Sequence, residues 1–68
     1  MRYAVVIEKA DGNHSAYVPD LPGCIATGDT PEEAEREIRA AIRFHLEGVL
    51  EDNVPIPKPT TVCEYVEA

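Results

Sequence analysis

The sequence predicts an α+β fold, a four-stranded sheet covered on one face by a single helix. Three observations predict it. Short stretches of alternating apolar residues before residue 29 indicate three strands. An apolar stripe at three- and four-residue spacing between residues 31 and 52 indicates a long amphipathic helix. A β-branched stretch near the carboxyl end indicates a fourth strand. With 68 residues, the chain forms a single domain over residues 1–68.

The first three strands follow one another through tight connections. Residues 2–9 (RYAVVIEK) form the first strand and are apolar on both faces at their centre. The Asp-Gly dipeptide that follows predicts a hairpin, and residues 15–18 return as the second strand. Pro19 ends that pairing because it has no backbone N–H to donate. Residues 24–28 form the third strand, so this part of the chain predicts an antiparallel meander.

The helix has a clear start and a clear face. Thr30 can cap it, Pro31 suits the first helical position, and Glu33 completes a T-x-x-E capping box. The helix is expected to run to about Asp52, with one apolar stripe facing the sheet. The stripe comprises Ala34, Ile38, Ala41, Ile42, His45, Leu46, Val49 and Leu50.

The carboxyl end completes the predicted sheet. Residues 54–60 carry a proline at every second position, so this segment is extended. Residues 61–66 (TVCEYV) then form the fourth strand. A right-handed crossover places this strand parallel to the first one, which predicts the order β-β-β-α-β along the chain and 3-2-1-4 across the sheet. The first strand is then central, in agreement with its two apolar faces.

Charge limits the classes of partner. Six Lys and Arg stand against thirteen Asp and Glu, a net charge of −7. A nucleic-acid surface needs clustered Lys and Arg, so we expect no direct nucleic-acid binding by this chain and favour a basic protein partner. No apolar stretch resembles a secretory leader or a membrane span. A cytoplasmic protein without a membrane association is the expectation.

No constellation for catalysis, metal binding or cofactor binding is evident. The two cysteines lie 39 residues apart, and the two histidines lack nearby acids at ligand spacing. Glu8 and Glu64 fall on neighbouring predicted strands, but two-metal nuclease chemistry needs several converging carboxylates. We therefore expect no catalytic residue, no metal, no cofactor and no enzymatic activity.

The order and spacing of several motifs resemble the HicB antitoxin family over nearly the whole chain. These motifs are the opening YAVVIEK hairpin, the PDLPGC corner, the TGDTPEEA helix start and the I-x-x-H-L…P-x-P ending. The resemblance implies a partial ribonuclease-H-like fold and a role in binding and silencing HicA, a small RNA-cleaving toxin of double-stranded-RNA-binding-domain fold. Many family members continue into a helix-turn-helix or ribbon-helix-helix domain that binds DNA. This sequence ends at Ala68, so a short form lacking that domain is expected.

The PDLPGC segment (residues 19–24, called the corner below) has two interpretations. Its prolines and glycine explain a rigid chain reversal without any further role. Alternatively, the rigid loop presents side chains to a partner with little loss of conformational entropy. The predicted partner-contact set consists of Tyr17, Asp20, Leu21 and Cys24.

The single helix leaves one sheet face uncovered, and that face carries apolar residues. A homodimer or higher oligomer, joined through sheet edges or the open face, is therefore predicted. The favoured function is an antitoxin that occludes the RNA-binding and active surface of a small basic HicA-type toxin. The alternative is a stand-alone oligomeric domain with a structural or ligand-binding role and no toxin. A neighbouring gene for a small basic protein with a catalytic histidine would favour the first.

Overall fold

The computed structural model describes residues Met1–Ala68 and contains three strands and one helix. The strands are β1 (Val6–Ala10), β2 (Asn13–Tyr17) and β3 (Ile25–Gly28), and the helix is α1 (Pro31–Glu51). The strands form one sheet in the order β1-β2-β3, and both neighbouring pairs are antiparallel. The predicted α+β class and the predicted meander are confirmed.

The β1–β2 hairpin is closed by a two-residue turn. Ala10 pairs with Asn13, which leaves Asp11 and Gly12 as the connection. Gly12 has a φ of 77°, a conformation that glycine adopts without steric cost. The Asp-Gly signal in the sequence therefore corresponds to a real turn.

The two faces of the sheet have different surroundings. Ile7, Ala16 and Ala26 lie in one row across the three strands and pack in or against the buried core. Because side chains alternate along a strand, the neighbouring row of Val6, Tyr17 and Ile25 points to the opposite, open face.

The core is small. Its largest fully buried side chains are Leu21 from the corner and Ile38 from α1. A small core is expected for a domain of this size, because a short chain buries a smaller fraction of its surface than a long one. The six buried core residues are Ala16, Val18, Leu21, Cys24, Ala34 and Ile38.

The helix begins and ends where the sequence predicts. The hydroxyl of Thr30 accepts a hydrogen bond from the backbone N–H of Glu33 at 3.1 Å. At the other end, the N–H of Asp52 donates to the carbonyl of Gly48 at 3.1 Å, and Asn53 takes a φ of 55°. The 21 residues of α1 span about 32 Å at 1.5 Å per residue.

The predicted four-stranded sheet in the order 3-2-1-4 is wrong. The sheet has three strands, and residues 61–66 pair with none of them. The beginning of β1 differs as well, since pairing starts at Val6 instead of Arg2. Tyr17 is the last β2 residue paired with β1, and the N–H of Val18 already donates to the carbonyl of Cys24 within the β2–β3 connection.

The physical reason for the missing strand is a competing set of hydrogen bonds. Asp20 binds the backbone and hydroxyl groups of Thr60 and Thr61, which holds the chain beside the corner as it leaves the proline-rich segment. The hydroxyl of Tyr3 also donates to the carbonyl of Pro57. The residues that follow Thr61 are all exposed and make no ladder with β1.

A pair of glycine substitutions tests the packing of β3 against the start of α1. A Cβ on Gly28 would lie 2.5 Å from the backbone nitrogen of Ala34, whereas a Cβ on Gly48 would have no atom within 4 Å. Gly28→Ala should lower the free energy of unfolding by about 1–3 kcal/mol, because backbone atoms must separate. Gly48→Ala should raise it by about 1 kcal/mol through helix propensity. Urea denaturation measures both, and shifts in the same direction would contradict the packing described.

Candidate partner-binding surface

The corner is closed by its own backbone hydrogen bonds. The N–H of Leu21 donates to the carbonyl of Val18 at 3.1 Å, and the N–H of Cys24 donates to the carbonyl of Leu21 at 3.0 Å. Gly23 has a φ of 82°, which the chain reversal requires at that position. The side chain of Leu21 points into the core and is fully buried. The corner is therefore a packed part of the domain and not an isolated loop.

Asp20, on the outside of the corner, binds the carboxyl-terminal segment. Its Oδ2 atom accepts the backbone N–H groups of Thr60 and Thr61, each at 3.0 Å. Its Oδ1 atom accepts the hydroxyl groups of the same residues, at 3.2 Å from Thr60 and 2.8 Å from Thr61. We call these four hydrogen bonds the Asp20 clamp.

The clamp favours the ionised carboxylate. The backbone N–H and the hydroxyl of Thr61 lower the pKa of Asp20 most, and the two bonds from Thr60 lower it further. Partial desolvation acts in the opposite direction but does not outweigh the bonds, so the pKa lies below its ordinary value of 3.8.

The four residues of the predicted contact set have different environments. Tyr17 is on the open face with 40% of its surface exposed, and Asp20 is at the surface but engaged in the clamp. Leu21 and Cys24 belong to the core, with 0% and 4% exposure. Burial also raises the pKa of the Cys24 thiol. A direct contact by the whole set stays a prediction, and in this conformation Tyr17 has the most accessible side chain.

The sequence interpretation missed Thr60 and Thr61 as the partners of Asp20. They lie 40 and 41 residues away along the chain, so no local pattern links them to the corner. It also gave no role to Phe44, whose side chain is 79% exposed on α1. An aromatic residue outside the apolar stripe of a helix is a signal that could have drawn attention to this position.

Phe44 flanks a groove between α1 and the free edge of β3, which we call the α1–β3 groove. Its volume is about 400 Å³. Ile25, which is 72% exposed, flanks the groove on the strand side. On the helix side, Gly48 has no side chain, and no atom lies within 4 Å of the position that a Cβ would occupy there. The groove begins where the corner ends; it is lined by Gly23, Cys24, Ile25, Ala41, Phe44, His45 and Gly48.

The surroundings of this groove are acidic. Between residues 32 and 52 the chain has seven acids and three arginines, a net charge of −4. One ion pair is formed there, between Arg39 and Glu35 at 3.0 Å. No three His, Cys, Asp or Glu side chains are grouped to hold a metal ion. No helix of the structure is both long enough and apolar enough to cross a membrane.

The surface features are thus an apolar groove, an exposed aromatic side chain at its rim and an acidic helix. The chain belongs to the HicB-like antitoxin family. The family model described as the HicB_like antitoxin of bacterial toxin-antitoxin system matches residues 3–68. The resemblance drawn from the sequence motifs is thereby confirmed.

The chain is also similar to individual relatives and to a solved structure. An uncharacterized 14.9 kDa protein in the rep-hol intergenic region of Haemophilus phage HP1 is 42% identical over 97% of this chain and 50% of its own length. Antitoxin HicB 1 of Photorhabdus laumondii is 38% identical over 98% of this chain and 44% of its own length. The chain thus spans about half the length of these two relatives.

The solved structure is the HicA3 and HicB3 toxin-antitoxin complex. One of its chains superposes with a TM-score of 0.74 and 27% identity, over 88% of this chain and 70% of that chain. The family is the non-enzymatic component of toxin-antitoxin systems, which confirms the expectation that this chain is not an enzyme.

The Asp20 clamp predicts how acid and mutation affect the carboxyl-terminal segment. Because folding lowers the pKa of Asp20, the clamp is complete above pH 3.8 and is lost as the pH falls through the lowered value. Asp20→Ala should release the segment at neutral pH. The protection factors of the Thr60 and Thr61 amides, which correct for the pH dependence of intrinsic exchange, should fall in both cases, while those in β2 stay high.

Asp11→Ala is the matched control, since Asp11 is exposed in the hairpin turn far along the sheet from the clamp. It should leave exchange at Thr60 and Thr61 unchanged. Equal exchange rates at these two amides in the Asp20→Ala variant and the unmodified chain would contradict the clamp.

Proposed function

We propose that this chain is the antitoxin of a toxin-antitoxin pair and that it silences a small basic RNA-cleaving toxin of HicA type. It does so by covering the surface with which the toxin binds and cleaves RNA. The observation that carries the proposal is the family match over residues 3–68, supported by the structural similarity to a chain of a HicA3 and HicB3 complex. Its place of action is the cytoplasm, where the RNA substrates of such a toxin are found.

Charge supports occlusion as the mechanism. A toxin that cleaves RNA must present positive charge to the phosphates of its substrate. This chain has a net charge of −7 and can compete with RNA for the same basic surface. Long-range attraction between opposite charges accelerates association and weakens as salt increases. The same negative charge opposes direct binding of RNA or DNA by this chain alone.

The α1–β3 groove supplies the apolar part of the proposed contact. Aromatic side chains at the centre of an interface often contribute most of the binding energy, and Phe44 is exposed at the rim of this groove. Tyr17 pairs with Ile25 across the sheet, so a partner covering the β3 edge can reach both. Asp20, Leu21 and Cys24 are the other members of the predicted contact set. They hold the corner in place, and the corner positions Tyr17 and Ile25.

A substitution of Phe44 tests the groove. Phe44→Ala should weaken binding to a HicA-type toxin by about 2 kcal/mol, roughly 30-fold, because the aromatic anchor is lost. Leu50→Ala is the matched control, an exposed apolar residue on the same helix outside the groove. Calorimetry with a catalytically inactive toxin measures the affinity, and inhibition of RNA cleavage by the active toxin measures the function.

The outcomes separate the alternatives. Equal losses for Phe44→Ala and Leu50→Ala would contradict the groove as the contact site but not the antitoxin function. If the folded, unmodified chain captures no small basic protein from its own cells and inhibits no RNA cleavage, the alternative of a stand-alone oligomeric domain without a toxin is favoured.

A charge reversal tests the electrostatic part. Glu47 follows Phe44 by three residues and lies on the same side of α1. Glu47→Lys should reduce the association rate constant with the toxin and flatten its dependence on salt. Asp11→Lys changes the net charge equally but lies at the hairpin turn, so its effect should be smaller. Stopped-flow measurements at several salt concentrations provide both values, and identical effects would refute a local electrostatic contact.

A further inference from the structure

The outer edge of β1 has no partner strand. β1 is the first strand of the order β1-β2-β3, and residues 2–5 continue it beyond the end of β2 without pairing on either side. Backbone N–H and C=O groups along such an edge are available to pair with another strand. A further strand can therefore pair with the outer edge of β1.

A second groove lies directly beside this edge, between β1 and α1. We call it the β1-edge groove, and its volume is about 470 Å³. Its apolar lining comes mainly from aliphatic side chains, and its charged lining consists of Arg2, Glu35 and Arg39. A strand added to β1 would place every second side chain against these aliphatic residues, which are Val5, Ile7, Ile38 and Ile42.

The carboxyl-terminal residues 61–68, which we call the arm, have the properties of such a strand. All of them are exposed. Val62, Tyr65 and Val66 are 76%, 103% and 88% exposed, although β-branched and aromatic residues favour half-buried strands. Exposed apolar residues next to an unpaired sheet edge and an unfilled apolar groove indicate that the two belong together.

The arm does not cover the β1 edge of its own chain. The Asp20 clamp holds Thr60 and Thr61 at the corner, and residues 61–63 face residues 2–5 without pairing, across an open space of about 410 Å³ that both segments line. Tyr65 and Val66 stand clear of the domain. The clamp therefore fixes the base of the arm and leaves its outer residues exposed and unpaired.

We propose that two copies of this chain exchange arms, so that the arm of each copy adds to the β1 edge of the other as a fourth strand. Each copy has one arm and one free β1 edge, so a reciprocal exchange closes as a twofold dimer. The added strand satisfies the backbone groups of residues 2–5 and places apolar arm residues in the β1-edge groove.

Charge favours this occupant of the groove. Glu64 shares a strand face with Val62 and Val66, and the β1-edge groove presents Arg2, whereas its Arg39 is already paired with Glu35. Against this local attraction, two copies of net charge −7 repel each other at longer range. Added salt screens that repulsion, so moderate salt should strengthen the dimer while weakening the attraction to a basic toxin.

The exchange specifies how the predicted homo-oligomer would form. It uses the β1 edge of the sheet, whereas the α1–β3 groove lies at the β3 edge. It holds whether or not a toxin exists, and its tests use the full chain alone. A failure of the exchange therefore leaves the proposed antitoxin function untouched, and a failure to bind a toxin leaves the exchange untouched.

The direct test is an isotope-filtered NOE experiment on a mixture of ¹³C-labelled and unlabelled copies. We expect intermolecular NOEs from the methyl groups of Val62 or Val66 to those of Ile7, Ile38 or Ile42. Contacts of these groups within one chain only would show that the arm closes on its own edge, and would overturn the proposal. The absence of any such NOE would overturn it as well.

A matched pair of substitutions supports the assignment. Val62→Asp should raise the dissociation constant of the dimer at least tenfold, because a charge cannot replace the valine in an apolar groove. Val54→Asp makes the same change at another exposed valine, outside the arm and both grooves, and should leave the dimer intact. Sedimentation equilibrium measures the mass against 7.5 kDa per chain. A monomeric unmodified chain, or equal effects of the two substitutions, would overturn the proposal.

Discussion

The carboxylate of Asp20 joins two parts of the chain that are 40 residues apart, and the arrangement of the surface depends on it. On the inner side of the corner, Leu21 fills the core between the sheet and α1. On the outer side, Asp20 accepts four hydrogen bonds from Thr60 and Thr61. Bonds to an ionised carboxylate are stronger than bonds between neutral groups. One short loop therefore positions both the core and the carboxyl-terminal segment.

The small core has consequences for function. Six buried residues suffice to hold α1 on one face of the sheet, but they leave both outer strands with free edges. Each edge borders a groove on one side of the same helix, with Phe44 beside β3 and Ile38 and Ile42 beside β1. A domain of this size has little surface that is not close to an edge. Two binding surfaces of different character, one proposed for a toxin and one for a second copy, are compatible with such a fold.

The candidate site could be predicted only in part. The sequence identified the corner as a rigid element, and its turn glycine and hydrogen bonds agree with that interpretation. It did not show that Leu21 points inwards, because a loop between two strands has no periodicity from which the burial of this residue can be read. Phe44 escaped attention for a related reason. It lies off the apolar stripe, and its exposure beside the β3 edge follows from how the helix sits on the sheet.

Local interactions explain what the sequence determined by itself. The hairpin turn at Gly12, the Thr30 cap and the end of α1 near Asp52 depend on residues a few positions apart, and all three are as predicted. The acidic charge and the family motifs are likewise properties of the sequence. The tertiary structure decided the number of strands and the path of the arm. Residues 61–66 have the composition of a strand, but the backbone N–H of Thr61 donates to Asp20 rather than to the edge of β1. Asp20 and the β1 edge are both distant from Thr61 in the sequence, so their competition for its N–H depends on the folded positions of all three. No local sequence pattern encodes that arrangement.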